Sequence, residues 1–439
     1  MSTKWPKLLH DSIHHLIPFE ESDCDRLLLA LINTREFQRL RRIKQLGFSE
    51  TVFPGANHSR FAHCIGVLQM ARVFLNRLRV LSKAVDDHAF KVVTCAALLH
   101  DLGHGPFSHA FEKVTKDDHE KRTREIVENE ETEVHKVLAE SDPKLPEAIA
   151  SFWKGASALS VPGFLAQVVS SQLDADRFDY LLRDSYAAGV DYGEFDHLWL
   201  IAHLHVDEEH SRLYLGSKAL LAAEAYVFAR YHMYRTVYFH KTTRAAEVML
   251  RLLFQRYSSL VSGKSIAEAN AVVPDAPKEV VTAFSSKLTL HDYLKLDDHS
   301  ISQFCKACEA SGDLSLQRLG TGLLHRRYLK AIDMTDCRPE AVAQFSLQAV
   351  DLLKRKGCDA DFQSYTDIPR DTPYKMYDPD TEAPNTQIYI ESSDGKPTEI
   401  SKLSDPVLQL RRRYALSRFY FPVEVREDID KIAQNTLRN

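Results

Sequence analysis

A histidine and an aspartate, His100 and Asp101, stand side by side where an apolar run of the sequence ends. A glycine-rich turn follows and carries two more histidines, His104 and His109. Imidazole and carboxylate groups are common protein ligands for divalent metal ions that act on phosphates. The segment therefore favours a metal site over plain hydrophobic core, although two further His-Asp pairs in the chain show that the dipeptide alone is not diagnostic.

Three further regions supply candidate ligands: a turn that leads into a predicted helix carrying His63, residues 118–120 at the start of another helix, and an aspartate-rich stretch at 174–184. A single histidine on an apolar face is more often a core residue than a ligand. Two imidazoles and two carboxylates from separate helices would nevertheless form a mixed shell that suits Mn, Fe, Ni, Zn or Mg ions. Five histidines cluster near helix ends in the first third of the chain: His63, His100, His104, His109 and His119.

The aspartate-rich stretch has two interpretations. Its acidic residues alternate with Arg177 and Arg183, so that it could be a solvated helix face with internal ion pairs. Apolar neighbours at Leu173, Leu181 and Leu182 indicate instead that one side of this helix is buried. Buried carboxylates need partners, and a metal ion is one such partner.

Composition limits the class of protein. The chain has 439 residues, of which 44% are hydrophobic and 27% charged, as in a globular protein of more than one domain. A net charge of −5 disfavours a nucleic-acid surface across the whole molecule, but it allows a local cationic pocket. Seven cysteines, an odd number, indicate reduced thiols, and no apolar run is long enough to cross a bilayer. We therefore expect a cytoplasmic protein without a membrane segment.

Hydrophobic periodicity predicts a mainly α fold. We expect a helical catalytic core over residues 1–260, a helical extension over 261–355 and a small α+β C-terminal subdomain over 356–439. The core is predicted to contain one β-hairpin at 203–215. Predicted helices lie at 27–32, 67–78, 92–99, 164–173, 219–238, 280–284, 301–309, 341–354, 405–412 and 428–434, and predicted strands at 387–390 and 419–421.

The ordered set His63, His100-Asp101 and Asp176 resembles the H…HD…D motif of the HD-domain metal phosphohydrolases. The surrounding segments are similar, more specifically, to the deoxynucleoside triphosphate triphosphohydrolases (dNTPases), which include the SAM-and-HD-domain dNTPase and its bacterial relatives. The resemblance covers about the first 260 residues well and the tail loosely. The similar segments are 36–47, 53–66, 98–111, 173–184 and 231–241.

The resemblance implies one divalent metal ion, leaves a second open, and assigns a group of residues to proton transfer. His109 would act as general acid toward the leaving 5′-oxygen or position the reacting phosphate, and Glu112 would orient it. His104, His119 and Glu120 would complete the network around it. The implied metal ligands are His63, His100, Asp101 and Asp176.

The same resemblance implies hydrolysis of a dNTP at its α-phosphorus by a metal-activated water, with release of nucleoside and inorganic triphosphate. Tyr180 would pack against the sugar, where a 2′-hydroxyl would clash, and Tyr238 would contact the sugar or the base. Gln45 and Leu46 would line the nucleoside pocket. The triphosphate would be held by Arg60, Arg177, Arg230 and Lys241.

Several alternatives stay open at this stage. The same metal chemistry suits a nuclease or phosphodiesterase that acts on single-stranded nucleic acid or a cyclic nucleotide, although the acidic composition makes nucleic acid the less favoured partner. A nucleotide sensor with a vestigial site is disfavoured by the intact ligand set. Relatives form dimers and tetramers, so we expect a homo-oligomer. One basic segment is either a solvated helix face or lies near a site for a nucleotide activator: Arg39, Arg41, Arg42 and Lys44.

Overall fold

Helices dominate the computed structural model, which describes residues 5–107, 109–368, 387–410 and 416–437, without the side chains of residues 109 and 110. This architecture confirms the predicted mainly α fold. The α-helices of the first 261 residues are α1 (Asp23–Ile32), α2 (Arg35–Arg39), α3 (Arg60–Leu81), α4 (Asp87–Leu99), α5 (His109–Thr115), α6 (His119–Glu128), α7 (Glu133–Ser141), α8 (Leu145–Ala150), α9 (Gly163–Ala166), α10 (Ala175–Ala188), α11 (His197–Ala202), α12 (Leu220–Met233) and α13 (Lys241–Val261). All of them except α5 and α13 pack apolar side chains into one large core.

Side-chain caps fix where the helices with candidate ligands begin. Ser59 caps α3, Asp86 caps α4, Asp118 caps α6 and Asp174 caps α10, each by accepting a backbone N–H of the first turn. Such caps satisfy amide groups that have no partner within the helix. The positions of the first-turn residues on α3 and α10 are therefore set by local sequence.

The helical extension packs on the end of the core. All of its helices except the last share a second hydrophobic cluster with α13 and with Phe111 of α5, so that the extension lies directly behind the turn that carries His104. The last helix packs in a third cluster with residues of the tail. Its helices are α14 (Ile266–Val272), α15 (Lys278–Ser285), α16 (Leu290–Tyr293), α17 (Asp298–Ala307), α18 (Leu314–Leu324) and α19 (Pro339–Arg355).

The strands form three small sheets, and the tail contributes to two of them. The predicted hairpin is present as β3 and β4, which β7 joins in parallel and β8 extends. In the other sheet, β9 lies between β5 of the extension and β6, antiparallel to both. The strands are β1 (Lys7–Asp11), β2 (His15–Phe19), β3 (Leu204–Asp207), β4 (Arg212–Leu215), β5 (Lys330–Asp333), β6 (Tyr365–Asp367), β7 (Tyr389–Glu391), β8 (Pro397–Glu399) and β9 (Arg418–Phe421).

The tail is thus not folded by itself but completes sheets begun by earlier parts of the chain. Its helices are α20 (Ala360–Gln363), α21 (Asp405–Gln409) and α22 (Arg426–Thr436). The last two correspond to the predicted helices at 405–412 and 428–434, with residues 411–415 outside the described part. Among the described helices, none combines the length and the apolar character that a membrane crossing requires.

Candidate metal centre

The four predicted ligands converge from three places in the fold. His63 lies in the first turn of α3, His100 and Asp101 follow the last residue of α4, and Asp176 lies in the first turn of α10. Nε2 of His63 is 3.0 Å from Oδ1 of Asp176 and 3.9 Å from Oδ2 of Asp101. Nε2 of His100 is 3.3 Å from Oδ1 of Asp101 and 3.5 Å from Oδ1 of Asp176.

The arrangement around His100 fits a metal ion. Its Nδ1 lies 2.9 Å from the carbonyl oxygen of Ala97 and must donate to it, so the ring presents Nε2 to the carboxylates. Nε2 is buried and makes no directed hydrogen bond among the described residues. A lone pair aimed at carboxylate oxygens is unfavourable unless a cation lies between them. Two imidazoles and two carboxylates are a suitable donor set for a divalent cation.

Without a metal ion, protons would take that place. Burial opposes protonation, but the Asp176 and Asp179 carboxylates outweigh it and raise the pKa of His63 to about 10. Burial likewise opposes protonation of His100, and the neighbouring Asp101 still raises its pKa. The raised pKa of both histidines reflects carboxylates that attract positive charge, as a cation-binding site requires.

Asp179 supports the centre from behind. Its Oδ2 accepts a hydrogen bond from Nδ1 of His63 at 2.8 Å, which leaves Nε2 directed at the other ligands. Arg183 donates to both oxygens of Asp179, at 2.8 and 2.9 Å. The helices α3 and α10 approach closely here because residue 66 is glycine: a Cβ on Gly66 would lie 1.9 Å from Oδ1 of Asp179. The sequence pointed to Asp179 only as one of several aspartates on a helix face.

The substitution Gly66→Ala is therefore expected to destabilise the fold. The added methyl group would collide with the Asp179 carboxylate and with Nη2 of Arg183, 2.3 Å away. Both groups are held by several hydrogen bonds and cannot swing aside, so we expect a loss of about 1–3 kcal/mol in the free energy of unfolding. Urea unfolding of the metal-free protein measures this. Gly312→Ala is the control, since a Cβ there would meet no atom within 4 Å.

A second cluster joins His104, Glu112 and His119. Oε1 of Glu112 is 3.2 Å from Nδ1 of His104 and 3.3 Å from Nδ1 of His119, and the two imidazole rings stack with centroids 4.0 Å apart. Burial and the charge of Arg60 lower the pKa of His104. Burial acts in the same direction on His119, but the Glu112 carboxylate outweighs it and raises the pKa of His119. A proton taken up by this cluster is therefore favoured on His119 over His104.

The metal centre and this second cluster are neighbours. Nε2 of His104 lies 3.3 Å from Oδ1 of Asp101. His109 is the first residue of α5, but its side chain lies outside the described part, so its predicted orientation by Glu112 stays a prediction. Glu120 is exposed on α6 and does not join the cluster in the described contacts.

Predicted phosphate-binding arginines lie around the centre, each with an anionic or polar partner. Arg60 is buried and pairs with Oδ2 of Asp101. Burial alone would raise the pKa of Asp101. The interactions with His100 and Arg60 outweigh burial and hold this pKa well below its ordinary value. Arg177 pairs with the buried Asp174, one turn before it on α10.

Arg230 is buried on α12, where its Nη1 donates to Oε1 of Gln172. Lys241 is placed differently. It is exposed at the start of α13 and lines a separate cavity with Arg326 and Lys330. The structure therefore brings Arg60 and Arg177 to the ligand cluster but not Lys241.

Two predicted sugar-contacting tyrosines face each other next to Asp176. The rings of Tyr180 and Tyr238 meet edge to face with centroids 6.3 Å apart. The hydroxyl of Tyr238 donates to Oδ2 of the buried Asp184 at 2.8 Å, and Nε2 of His58 lies 2.9 Å from Oδ1 of the same carboxylate. Neither Asp184 nor His58 is among the predicted site residues. The sequence places Asp184 only on the same helix as Asp179, five residues after it.

Gln45 and Leu46 lie on the buried side of the segment between α2 and α3. Both side chains are buried, and Oε1 of Gln45 has no hydrogen-bond partner among the described residues. The backbone N–H of Gln45 donates to the carbonyl oxygen of His58 at 3.0 Å. Gln45 therefore offers a buried acceptor close to the residues around Asp184.

The extension holds the turn that carries His104. Tyr293 donates its hydroxyl hydrogen bond to the carbonyl oxygen of Gly103, and Arg39 donates to the carbonyl oxygens of His104 and Leu296 at 2.9 and 2.8 Å. Arg39 is only 1% exposed. The solvated-face interpretation is therefore wrong for Arg39, whose buried guanidinium joins the turn at His104 to the extension.

The remaining basic residues of that segment are closer to the solvated interpretation. Arg41 is exposed and covers the ring of Phe61, Arg42 pairs with Asp297, and Lys44 pairs with Glu50. Asp298, the neighbour of Asp297, accepts the backbone N–H groups of Lys44 and Phe107, each at 2.8 Å.

The fold and this ligand set define the class of protein. The chain matches the HD domain family over residues 60–151 and the HD associated region over residues 195–272. It belongs to the HD-domain phosphohydrolases, whose domains bind divalent metals.

Within that class, the chain is 36% identical over 424 residues to the protein YwfO of Bacillus subtilis, covering 95% of this chain and 93% of that one. It is 33% identical over 262 residues to the deoxynucleoside triphosphate triphosphohydrolase SAMHD1 homolog of Dictyostelium discoideum, covering 57% of this chain and 49% of that protein. A solved phosphohydrolase of Bacteroides thetaiotaomicron superposes with a TM-score of 0.77 at 28% identity, over 95% of this chain and 100% of that chain. These relatives confirm the predicted resemblance to dNTPases.

Proposed function

We propose that this phosphohydrolase cleaves deoxynucleoside triphosphates into a deoxynucleoside and inorganic triphosphate, with one divalent metal ion bound by His63, His100, Asp101 and Asp176. When bound, that ion would activate a water molecule and neutralise charge on the phosphate oxygens. The observation that carries the choice of substrate is the tyrosine pair beside the ligands. Tyr180 lies one helical turn after Asp176 on α10, with Tyr238 and Asp184 next to it.

The site contains the groups that a deoxynucleotide requires. In this proposal, Tyr180 offers an aromatic face on which a deoxyribose would pack, and its ring would exclude an additional hydroxyl at the 2′ position. The carboxylate of Asp184 and the amide of Gln45 would hydrogen-bond sugar hydroxyls. Arg60 and Arg177 supply positive charge near the ligands for the phosphates.

Proton transfer is assigned to the cluster at Glu112. Glu112 outweighs burial and raises the pKa of His119, whereas burial and the charge of Arg60 lower that of His104, so a proton in this cluster favours His119. Oε1 of Glu112 lies between the Nδ1 atoms of both rings. A proton can therefore pass from His119 through this cluster toward the leaving 5′-oxygen, with His109 as the last donor in the proposal.

Product analysis tests this function directly. The protein is incubated with Mn²⁺ and each of the four dNTPs, and inorganic triphosphate and deoxynucleoside are separated chromatographically. Formation of both products in equal amounts is expected. Release of pyrophosphate or of single phosphates would contradict cleavage of the bond between the α-phosphorus and the 5′-oxygen. Shortening of labelled single-stranded DNA or opening of a cyclic nucleotide, with intact dNTPs, would instead support the nuclease or phosphodiesterase alternative.

The variant Tyr180→Ala is expected to weaken discrimination against ribonucleotides. Removing the ring opens space for a 2′-hydroxyl, so the ratio of kcat/KM for dATP over ATP should fall about 10-fold or more, which corresponds to one to three kcal/mol of lost rejection. Tyr186→Ala is the matched control, because Tyr186 lies on the same helix but is 66% exposed. An unchanged ratio in Tyr180→Ala would exclude this residue as the sugar contact.

A further inference from the structure

We propose that the N-terminal hairpin, β1 and β2, is part of the metal centre, because Asp11 and His14 are positioning residues that hold the ligand His63 through Asp179. The inference rests on the metal site of the proposed function but not on its substrate. The hairpin is remote in sequence from every ligand and was not among the predicted elements. It nevertheless reaches the far side of the His63 imidazole.

The contact runs through one carboxylate. Asp179 accepts from Nδ1 of His63 on Oδ2 at 2.8 Å, and Nε2 of His14 lies 2.7 Å from its Oδ1. Asp179 and His63 are both fully buried, and the side chain of His14 is 9% exposed. Since a carboxylate only accepts, His14 donates from Nε2. The carboxylate is thus fixed from the hairpin side while it fixes the tautomer and the orientation of His63.

Asp11 holds the same unit through Arg183. The Arg183 guanidinium donates to Asp11 at 2.9 and 3.1 Å and to Asp179 at 2.8 and 2.9 Å. It is 2% exposed and lies between the two carboxylates, so neither carries an uncompensated buried charge. Burial alone would raise the pKa of Asp179, but the pairing with Arg183 outweighs burial and holds this pKa well below its ordinary value. Arg183 thus fixes the Asp179 carboxylate that accepts from Nδ1 of His63.

Asp11 also shapes the turn that presents His14. Its Oδ1 accepts the backbone N–H groups of Ile13 and His14, each at 2.9 Å. The turn closes with His15 at a φ of 57°, in the left-handed region. One side chain thus determines both the position of Arg183 and the direction of His14, which a turn without this aspartate would not provide.

The hairpin is anchored firmly enough to transmit this constraint. Ile17 and Phe19 of β2 are fully buried in the main core. Arg72 of α3 donates to the carbonyl oxygen of Pro18 at 2.9 Å and covers the ring of Phe19. The hairpin is therefore fixed to α3, the same helix that carries His63.

Metal affinity of the substrate-free protein tests the inference. Metal is removed with a chelator, and the dissociation constant for Mn²⁺ is measured by calorimetry for the wild type, His14→Ala and Asp11→Asn. Loss of a hydrogen-bonded group that orients a ligand weakens metal binding about 10–100-fold, and we expect this for both variants. His10→Ala is the control, because His10 is an exposed residue of the same hairpin. Its affinity should equal that of the wild type.

A conservative variant separates positioning from simple loss of fold. His14→Gln keeps an N–H that can donate to Asp179, so it should recover most of the affinity lost in His14→Ala. Far-UV circular dichroism and thermal unfolding without metal monitor the fold of all variants. If His14→Ala is too unstable to measure, the comparison of His14→Gln with Asp11→Asn decides, since the former keeps the donor to Asp179 whereas the latter loses the charged acceptor of Arg183.

The outcomes distinguish this inference from the proposed function. Equal Mn²⁺ affinities for His14→Ala, His10→Ala and the wild type would overturn the role of the hairpin and leave the function untouched. So would a His14→Gln variant that binds no better than His14→Ala. Tight Mn²⁺ binding by the wild type without hydrolysis of any dNTP would overturn the proposed function but leave the hairpin inference intact.

Discussion

The substitution His100→Ala is expected to remove the metal ion and to reduce dNTP hydrolysis by a factor of at least about 10³. A metal ion contributes several kcal/mol to the stabilisation of charge in phosphate transfer, and each 1.4 kcal/mol corresponds to about tenfold in rate. The fold should survive, because Nε2 of His100 makes no directed hydrogen bond among the described residues whose loss would leave a partner unsatisfied. Elemental analysis of the purified variant and steady-state kinetics measure the two effects.

Asp101→Ala should give the same loss of metal and activity at a greater cost in stability. Asp101 pairs with the buried Arg60, and removing the carboxylate takes away a buried ion-pair partner. His88→Ala is the control for both variants, because His88 is an exposed residue of α4, the helix that ends at His100. If the wild-type protein binds no ion and takes up none when Mn²⁺, Fe²⁺ or Zn²⁺ is supplied, the hydrolase assignment itself fails.

The candidate metal ligands could be selected from the sequence because their signals are local. The caps Ser59 and Asp174, the end of the apolar run at Leu99 and the helical spacing after Asp176 fix the ends of three helices. The resemblance to a known motif then required only that these ends meet. The structure brings them together, with distances of 3.0–3.9 Å between the imidazole nitrogens and the carboxylate oxygens.

The residues that support the ligands could not be predicted in the same way. His14 is 165 positions from Asp179, and Arg39 is 257 positions from Leu296, so no local spacing relates them. Asp184 accepts a hydrogen bond from Tyr238, which lies in the segment between α12 and α13, far from Asp184 in sequence. A basic or acidic residue on a helix gives the same sequence pattern whether it is solvated or clamps a turn, and only its three-dimensional neighbours distinguish the two.

The tail illustrates a different limit. The sequence predicts two of its four strands, β7 and β9, but neither β6 and β8 nor the pairing partners, because β7 pairs with β4 and β9 pairs with β5 across large separations in sequence. Pairing partners depend on the whole fold and not on the strand itself. A separate subdomain was the natural expectation from composition, whereas the sheets join the tail to the core and to the extension.

The strongest single link between the tail and the core is a buried ion pair, and its loss is expected to be the most damaging to stability. Arg244 of α13 donates from Nε and Nη2 to the two oxygens of Asp367 in β6, at 2.9 and 2.8 Å, and both residues are buried. Removing Asp367 leaves the buried Arg244 guanidinium with Glu247 as its remaining carboxylate partner, so the expected cost is at the lower end of the range for a broken buried pair, about 3 kcal/mol. The variant Asp367→Ala should therefore lower the free energy of unfolding by that amount, as measured by urea denaturation.

The effect should extend to the site, because Arg418 of the adjacent strand β9 donates to the carbonyl oxygen of Phe239, next to Tyr238. Asp361→Ala is the matched control, since Asp361 is an exposed residue of the neighbouring helix α20. The double variant Arg244→Met, Asp367→Leu removes both charges and fills their space, so it should be more stable than Asp367→Ala. If Asp367→Ala unfolds at the same urea concentration as Asp361→Ala, this ion pair does not fix the tail to the core.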